Sequence, residues 1–195
     1  MEGIVIGTRP DCVDGQKLDY LAELGRKHIV ILELGIESCY DSTLEHINRR
    51  HTWEQAENAV RMAAERGIMT GGHFIFGLPG ETREMMMSAA SRINTLPLDS
   101  VKFHQLQIIR GTVMEKEFAC HPERFVTWSL DEYIDFFIDF LERLRPDLHI
   151  ERFAGEVPPR FVNSTPWGKV RNVELLRMLE KRLEERDTWQ GRLRV

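Results

Sequence analysis

Three short stretches of this 195-residue chain combine residue types that do chemistry. In "LELGIES", Glu33 and Glu37 stand either side of Gly35; in "GGHFIFGLPG", His73 opens an apolar run that leaves through Gly77, Pro79 and Gly80; in "NRRHT", Arg49 precedes Arg50. Carboxylates accept hydrogen bonds and carry protons, and a guanidinium grips a carboxylate with a planar fork. Glycines let a ligand, or another part of the chain, lie flat against the backbone. Lys102 and His104 in "VKFHQ" complete a set, Glu33, Glu37, Lys102 and His104, that could serve as acid and base groups. Each residue also has an ordinary use. Glu37 and Ser38 fit a cap on the short helix that follows, paired arginines are commonly solvated, and a lone His73 fits a satisfied core histidine. The cysteines, with His46, His51, His104 and His121, show no short ligand spacing, so no metal site is read from them.

These residues must be placed by strands and helices. "GIVIGT" (3–8), "IVILELGI" (29–36), "MTGGHFIFG" (69–77) and "VKFHQLQII" (101–109) read as strands, and "HIERF" (149–153) adds a short further one. Between them, "TWEQAENAVRMAAERG" is a helix with a Thr52–Gln55 capping box and Gly67 at its end. "TREMMMSAASRI" is capped by Thr82, with methionines that read as core filler. "SLDEYIDFFIDFLERLRP" is capped by Ser129 and Glu132, with Leu130, Tyr133, Ile134, Phe137, Ile138, Leu141 and Leu144 facing inward. A last helix, about 170–186, carries Val173, Leu176, Leu179 and Leu183 on one side.

Strand–helix alternation predicts parallel strands with right-handed crossovers, in either a doubly wound sheet or a barrel. The strand faces favour the barrel. Val30, Leu32, Leu34 and Ile36 form an apolar face, while Glu33, Gly35 and Glu37 form a polar one that a dry core would not accept. The next strand repeats the pattern, with Phe74 and Phe76 on one face and His73, Ile75 and Gly77 on the other.

Composition is that of an ordinary globular domain, 42% hydrophobic and 29% charged, with no membrane-length apolar run and no export signal. Three cysteines, Cys12, Cys39 and Cys120, form no C-x-x-C and point to a reducing, cytoplasmic setting. The net charge of −5 is uneven: residues 160–195 carry nine Lys and Arg against five Asp and Glu, leaving an acidic body. Such a body is a poor match for a phosphate backbone, and the mildly basic tail reads as a solvated helix.

"LELGIESCYDSTLEHINRRHT" followed by "GHFIFGLPGET" resembles the second half of a radical S-adenosylmethionine (radical SAM) domain. The likeness is to the branch of coproporphyrinogen dehydrogenase and the elongator catalytic subunit, to which "GTRPD" is also similar. "HIERFAGEVPPRF" and "PWGKVRNVELLRMLEKRLEERDTWQG" resemble the YhcC-like family, and the ordered blocks span essentially the whole chain. The resemblance implies an α/β fold: a partial (β/α)6, TIM-like barrel, strands three to six, over residues 1–155, with a C-terminal helical extension at 156–195. It also implies a SAM site at Glu37, Ser38, Arg49, His73, Ile75 and Gly77. Glu37 would accept from the ribose hydroxyls and Arg49 would pair with the methionine carboxylate. His73 would lie near the ribose, and Ile75 to Gly77 would face adenine. The family's G-x-I-x-G-x-x-E pattern is partly kept, with His73 at its first glycine, Gly80 at its glutamate and Glu81 one residue late.

The resemblance further implies a [4Fe–4S] cluster on a C-x-x-x-C-x-x-C loop, an external electron donor, and cleavage of SAM to a 5′-deoxyadenosyl radical. No such loop occurs in this sequence. The expectation is that the cluster ligands lie upstream, that Met1 is an artificial or misplaced start, and that the chain alone is inactive, with either low stability or self-association along "GIVIGT". The substrate is not readable, and kinship with elongator hints at RNA. Two alternatives stand beside this reading: a non-catalytic SAM- or nucleotide-binding module, and a cofactor-independent barrel lyase or isomerase.

Overall fold

The computed structural model describes residues 2–155, 157–163, 167 and 170–194. Met1, Glu156 and, in the "PWGKV" block, Pro166, Gly168 and Lys169 lie outside the described residues.

Five strands, β1 (Gly3–Thr8), β2 (Ile29–Glu37), β3 (Met69–Phe76), β4 (Ser100–Gln105) and β5 (His149–Arg152), form one sheet in the order β1-β2-β3-β4-β5. β1 pairs in parallel with β2, and β2 in parallel with β3. Among the described residues, seven α-helices follow in chain order: α1 (Gly15–Gly25), α2 (Asp41–His46), α3 (Trp53–Ala64), α4 (Arg83–Asn94), α5 (Val113–Cys120), α6 (Leu130–Leu141) and α7 (Asn172–Glu185). Strand order follows chain order without reversal. That is the winding of a β/α barrel, whereas a doubly wound sheet turns back at a switch point.

The chain divides into two compact units. The first comprises Met1–Phe74, Arg92–Lys102 and Leu148–Glu151. Its core forms because β2 alternates: Val30, Leu32, Leu34 and Ile36 are buried, with Leu18 of α1 and Ala56, Ala59, Val60 and Ala63 of α3 also buried in this unit. The capping box starts α3 as expected: Gln55 N–H donates to the Thr52 hydroxyl and Thr52 N–H to the Gln55 side chain. Gly67, at φ +70°, ends the turn. The other face of β2 carries Glu33, Gly35 and Glu37, all only partly exposed.

The second unit comprises Ile75–Ser91, Phe103–Asp147 and Arg152–Val195. Phe76 and Phe103 stack at 5.2 Å, and Phe136 and Phe140 of α6 meet Phe76 edge-on at 4.9 Å each. Both α6 phenylalanines are fully buried and belong to a wider stripe than the seven positions read from sequence. The Ser129–Glu132 capping box is present.

Two expectations are corrected here. α7 buries Leu175 and Leu179, whereas Val173 is 63% exposed and Leu176 37%. The helix is turned because its inner line continues into Arg182 and Arg186, which pair with Asp135 and Asp139 of α6. β4 ends at Gln105 rather than Ile109. Leu106 N–H still reaches Phe76 O at 2.8 Å, but Ile109 then bridges antiparallel to Val162. Helices α1 and α5 were not read from the sequence. Their signals are modest, Asp14 accepting from Lys17 N–H and Thr112 from Glu115 N–H.

Candidate cofactor site

Four of the six residues assigned from sequence, Glu37, Ser38, Arg49 and His73, fall in the first unit. The register of β2 against β3 shifts between Gly35 and Glu37, so that Gly35 lies opposite His73 and Glu37 opposite Phe74. Glu37 sits at φ +68°, the left-handed region that costs a non-glycine residue about 1–3 kcal/mol. This bulge turns the Glu37 carboxylate back over Gly35. A Cβ built on Gly35 would lie 2.7 Å from Glu37 Oε1 and 2.8 Å from Arg49 Nη2, so a side chain there would displace the ends of the pair from this arrangement.

Arg49 arrives from the end of α2. Asn48 takes φ +56°, and Arg49 N–H donates to Leu44 O at 2.8 Å, closing the helix and sending the side chain back toward β2. Its Nη2 donates to Gly35 O at 2.7 Å and meets Glu37 Oε1 at 3.0 Å. Its Nε is buried without a partner. His51 donates from Nε2 to Ile36 O at 3.2 Å, and its Nδ1 is likewise buried without a partner. Burial pushes the Glu37 carboxyl above the usual carboxylate range despite Arg49, and burial holds the His51 ring below its usual value. Ser38 is buried, and its hydroxyl accepts from Tyr40 N–H at 3.1 Å.

Beside this pair, His73 Nε2 donates to Glu33 Oε2 at 3.0 Å, and Glu33 Oε1 accepts from Lys102. Lys102 also meets Glu151 Oε2 at 3.3 Å, and Glu151 accepts from the Ser100 hydroxyl. Burial pushes the Glu33 carboxyl up, but Lys102 and then His73 outweigh it and hold it below 4.5. Sequence reasoning offered Glu33 and Lys102 only as members of an alternative acid–base set and missed Ser100 and Glu151. The only signal for Glu151 was its place in the short "HIERF" strand.

Ile75 and Gly77 belong to the second unit. Gly77, at φ +85°, is packed closely: a Cβ there would lie 2.9 Å from the Trp128 ring, and its N–H donates to Met86 Sδ at 3.1 Å. The turn that follows closes with Gly80 at φ +85°. His104, the remaining member of the acid–base set, is in this unit as well.

The described residues fit the organic part of the implied cofactor. Glu37 offers a part-buried acceptor for hydroxyls, and the orphaned Arg49 Nε offers the second prong that a carboxylate takes. They do not fit an iron–sulfur cluster. Cys12 and Cys120 are exposed, Cys39 is buried, and among the described residues no group of three His, Cys, Asp or Glu is placed to hold a metal.

The family model for the Radical SAM superfamily matches residues 1–93, and that for the Radical_SAM C-terminal domain matches residues 98–185. The chain belongs to the radical SAM superfamily. This radical SAM chain is 34% identical to the uncharacterized protein YtqA of Bacillus subtilis over 190 residues, 97% of this chain and 58% of that protein. It is 37% identical to protein YhcC of Escherichia coli over 132 residues, 67% of this chain and 42% of that protein. A solved structure of archaeal Methanocaldococcus infernus Elp3 superposes with a TM-score of 0.81 over 97% of this chain and 43% of that one. At 21% identity, that likeness concerns the fold. The chain therefore spans between 42% and 58% of the length of these relatives. Among the described residues no helix is long and apolar enough to cross a membrane.

Proposed function

We propose that this chain is the SAM-holding portion of a radical SAM enzyme. The observation that carries the reading is the Gly35–Glu37–Arg49 constellation: a glutamate held at positive φ, a glycine that leaves space for it, and a guanidinium with one buried prong unused. Backbone strain at a part-buried carboxylate has a ready physical account when that carboxylate must meet a ligand. Glu37 accepts from the ribose hydroxyls, Arg49 grips the methionine carboxylate, and His73 stands beside the ribose. When bound together with a reduced four-iron cluster, SAM supplies a 5′-deoxyadenosyl radical. The reading calls in addition for cluster ligands that this sequence does not supply, an external electron donor and an unidentified substrate, RNA among the candidates. This chain alone holds SAM and does not cleave it.

The acid–base alternative is less well supported. Lys102 is committed to ion pairs with Glu33 and Glu151, and would have to leave both to act on a substrate.

Calorimetric titration of SAM against the chain tests the proposal. Saturable binding is expected. Arg49→Lys weakens it, because a point charge cannot reproduce a fork, and Arg50→Lys leaves it unchanged. A silent Arg49→Lys with a damaging Arg50→Lys refutes the assignment of the fork. A second measurement addresses inactivity: after anaerobic reconstitution with iron and sulfide, the chain should form no 5′-deoxyadenosine on addition of SAM and reductant. Stoichiometric four-iron loading with 5′-deoxyadenosine release would refute this.

A further inference from the structure

Apart from His73, the polar network around Glu33 has no part in the cofactor contacts given above, yet its construction is demanding. Glu33 lies on β2 and Lys102 on β4, with β3 between them in the sheet. Neighbouring strands lie about 4.8 Å apart, so the two side chains must meet over the top of β3. They do so at Gly71, the residue directly opposite Glu33 in the register. A Cβ on Gly71 would stand 3.0 Å from Ser100 Oγ, a tight approach, and in ordinary contact with Glu33 Cγ at 3.5 Å. The Glu33 side chain crosses β3 at a position that presents no side chain of its own.

Two residues further along β3, on the same face, stands His73, opposite Gly35. Glu33 divides its two oxygens, Oε2 to His73 Nε2 and Oε1 to Lys102 Nζ. Lys102 is tied in turn to Glu151, and Glu151 to Ser100. The Glu33 side chain is 13% exposed and that of Lys102 16%, so their contact is largely shielded from water, while Glu151 at the outer end of the network is exposed. All five residues belong to the first unit. A carboxylate on one imidazole nitrogen fixes both the tautomer and the ring plane.

We propose that Glu33 is a positioning residue for the cofactor site. Braced by Lys102, it holds the His73 ring with Nε2–H turned to the carboxylate, at the position beside Gly35 where the Glu37–Arg49 pair lies. This rests on the reading that His73 stands beside bound SAM. Glu33 itself touches no reacting atom. Its contribution is to remove the ring's freedom before the ligand arrives.

Two measurements on this chain separate the parts of the argument. Proton NMR of the histidine rings needs no ligand: the His73 Nε2–H, protected by the carboxylate, gives an observable resonance that Glu33→Ala abolishes. Calorimetry with SAM then reads the consequence: Glu33→Ala binds roughly tenfold more weakly, and Glu33→Gln, whose amide oxygen still accepts from Nε2–H, recovers part of the loss. Should Glu33→Ala not fold, the double variant Glu33→Leu/Lys102→Met removes the buried anion and cation together and gives the same two readings. A folded variant without the Glu33 carboxylate that keeps both the His73 resonance and wild-type affinity overturns the proposal. Loss of the resonance with unchanged SAM affinity overturns the positioning role. A wild-type chain that shows the resonance but binds no SAM overturns the cofactor reading itself.

Discussion

At the residue scale, Glu37 shows stability set against binding. Its carboxyl is held above the ordinary value of 4.5 because burial outweighs the attraction of Arg49. A raised carboxyl favours the folded chain most when it is protonated, below about pH 4.5, and its ionisation costs stability as pH rises through the folded value. Glu37→Gln removes that cost. The variant should melt at a higher temperature than wild type at pH 7, with the difference shrinking toward pH 4.5, as followed by circular dichroism. Its SAM affinity moves the opposite way, falling by an equivalent of about 1–3 kcal/mol for the lost charged acceptor. A variant less stable at pH 7 would show that the Arg49 pair, and not burial, governs this position.

At the element scale, α7 tests how a helix chooses its face. Both Val173–Leu176–Leu179–Leu183 and Leu175–Leu179–Arg182–Arg186 are helical stripes of the sequence. The second is turned inward, because two arginines on α7 meet Asp135 and Asp139 on α6. Long arginine stems cover apolar surface while their charged heads pair, so a stripe with two cations can face a neighbouring helix. Leu179→Ala, at a residue 1% exposed, should cost about 2–5 kcal/mol in urea unfolding. Val173→Ala, at a residue 63% exposed, should change stability by about 0.5 kcal/mol or less. Equal effects of the two substitutions would restore the stripe first read from the sequence.

At the scale of the whole molecule, β1 is the outer strand of the sheet order, with Ile4 44% exposed and Val5 56%. An outer strand with apolar side chains is a template for pairing with another chain, and charge on such a strand suppresses it. This chain is expected to self-associate with rising concentration in sedimentation velocity, and Val5→Lys to keep it monomeric while leaving SAM binding unchanged. A wild-type chain that stays monomeric throughout would remove the edge from the account. Self-association unaltered by Val5→Lys would place it elsewhere on the surface.

The sequence by itself determined the fold class, the strand faces of β2 and β3, the capping boxes of α3 and α6, and the family. These are local or ordered properties: an alternation of period two, a Thr or Ser three residues before a Gln or Glu, and a succession of blocks along the chain. It also named Glu37 and Arg49, though only through the resemblance. Only the tertiary structure decided that Glu37 is turned to φ +68° over Gly35, because the register shift depends on which residue of β3 lies opposite. It likewise decided that Glu33 reaches Lys102, 69 positions away in sequence, across the intervening β3 at Gly71, since that meeting depends on strand order and register. The inward face of α7 was settled the same way, by aspartates on another helix. Periodicity reports which residues of one element share a side, whereas pairing between distant elements depends on register and on the space that their neighbours leave open.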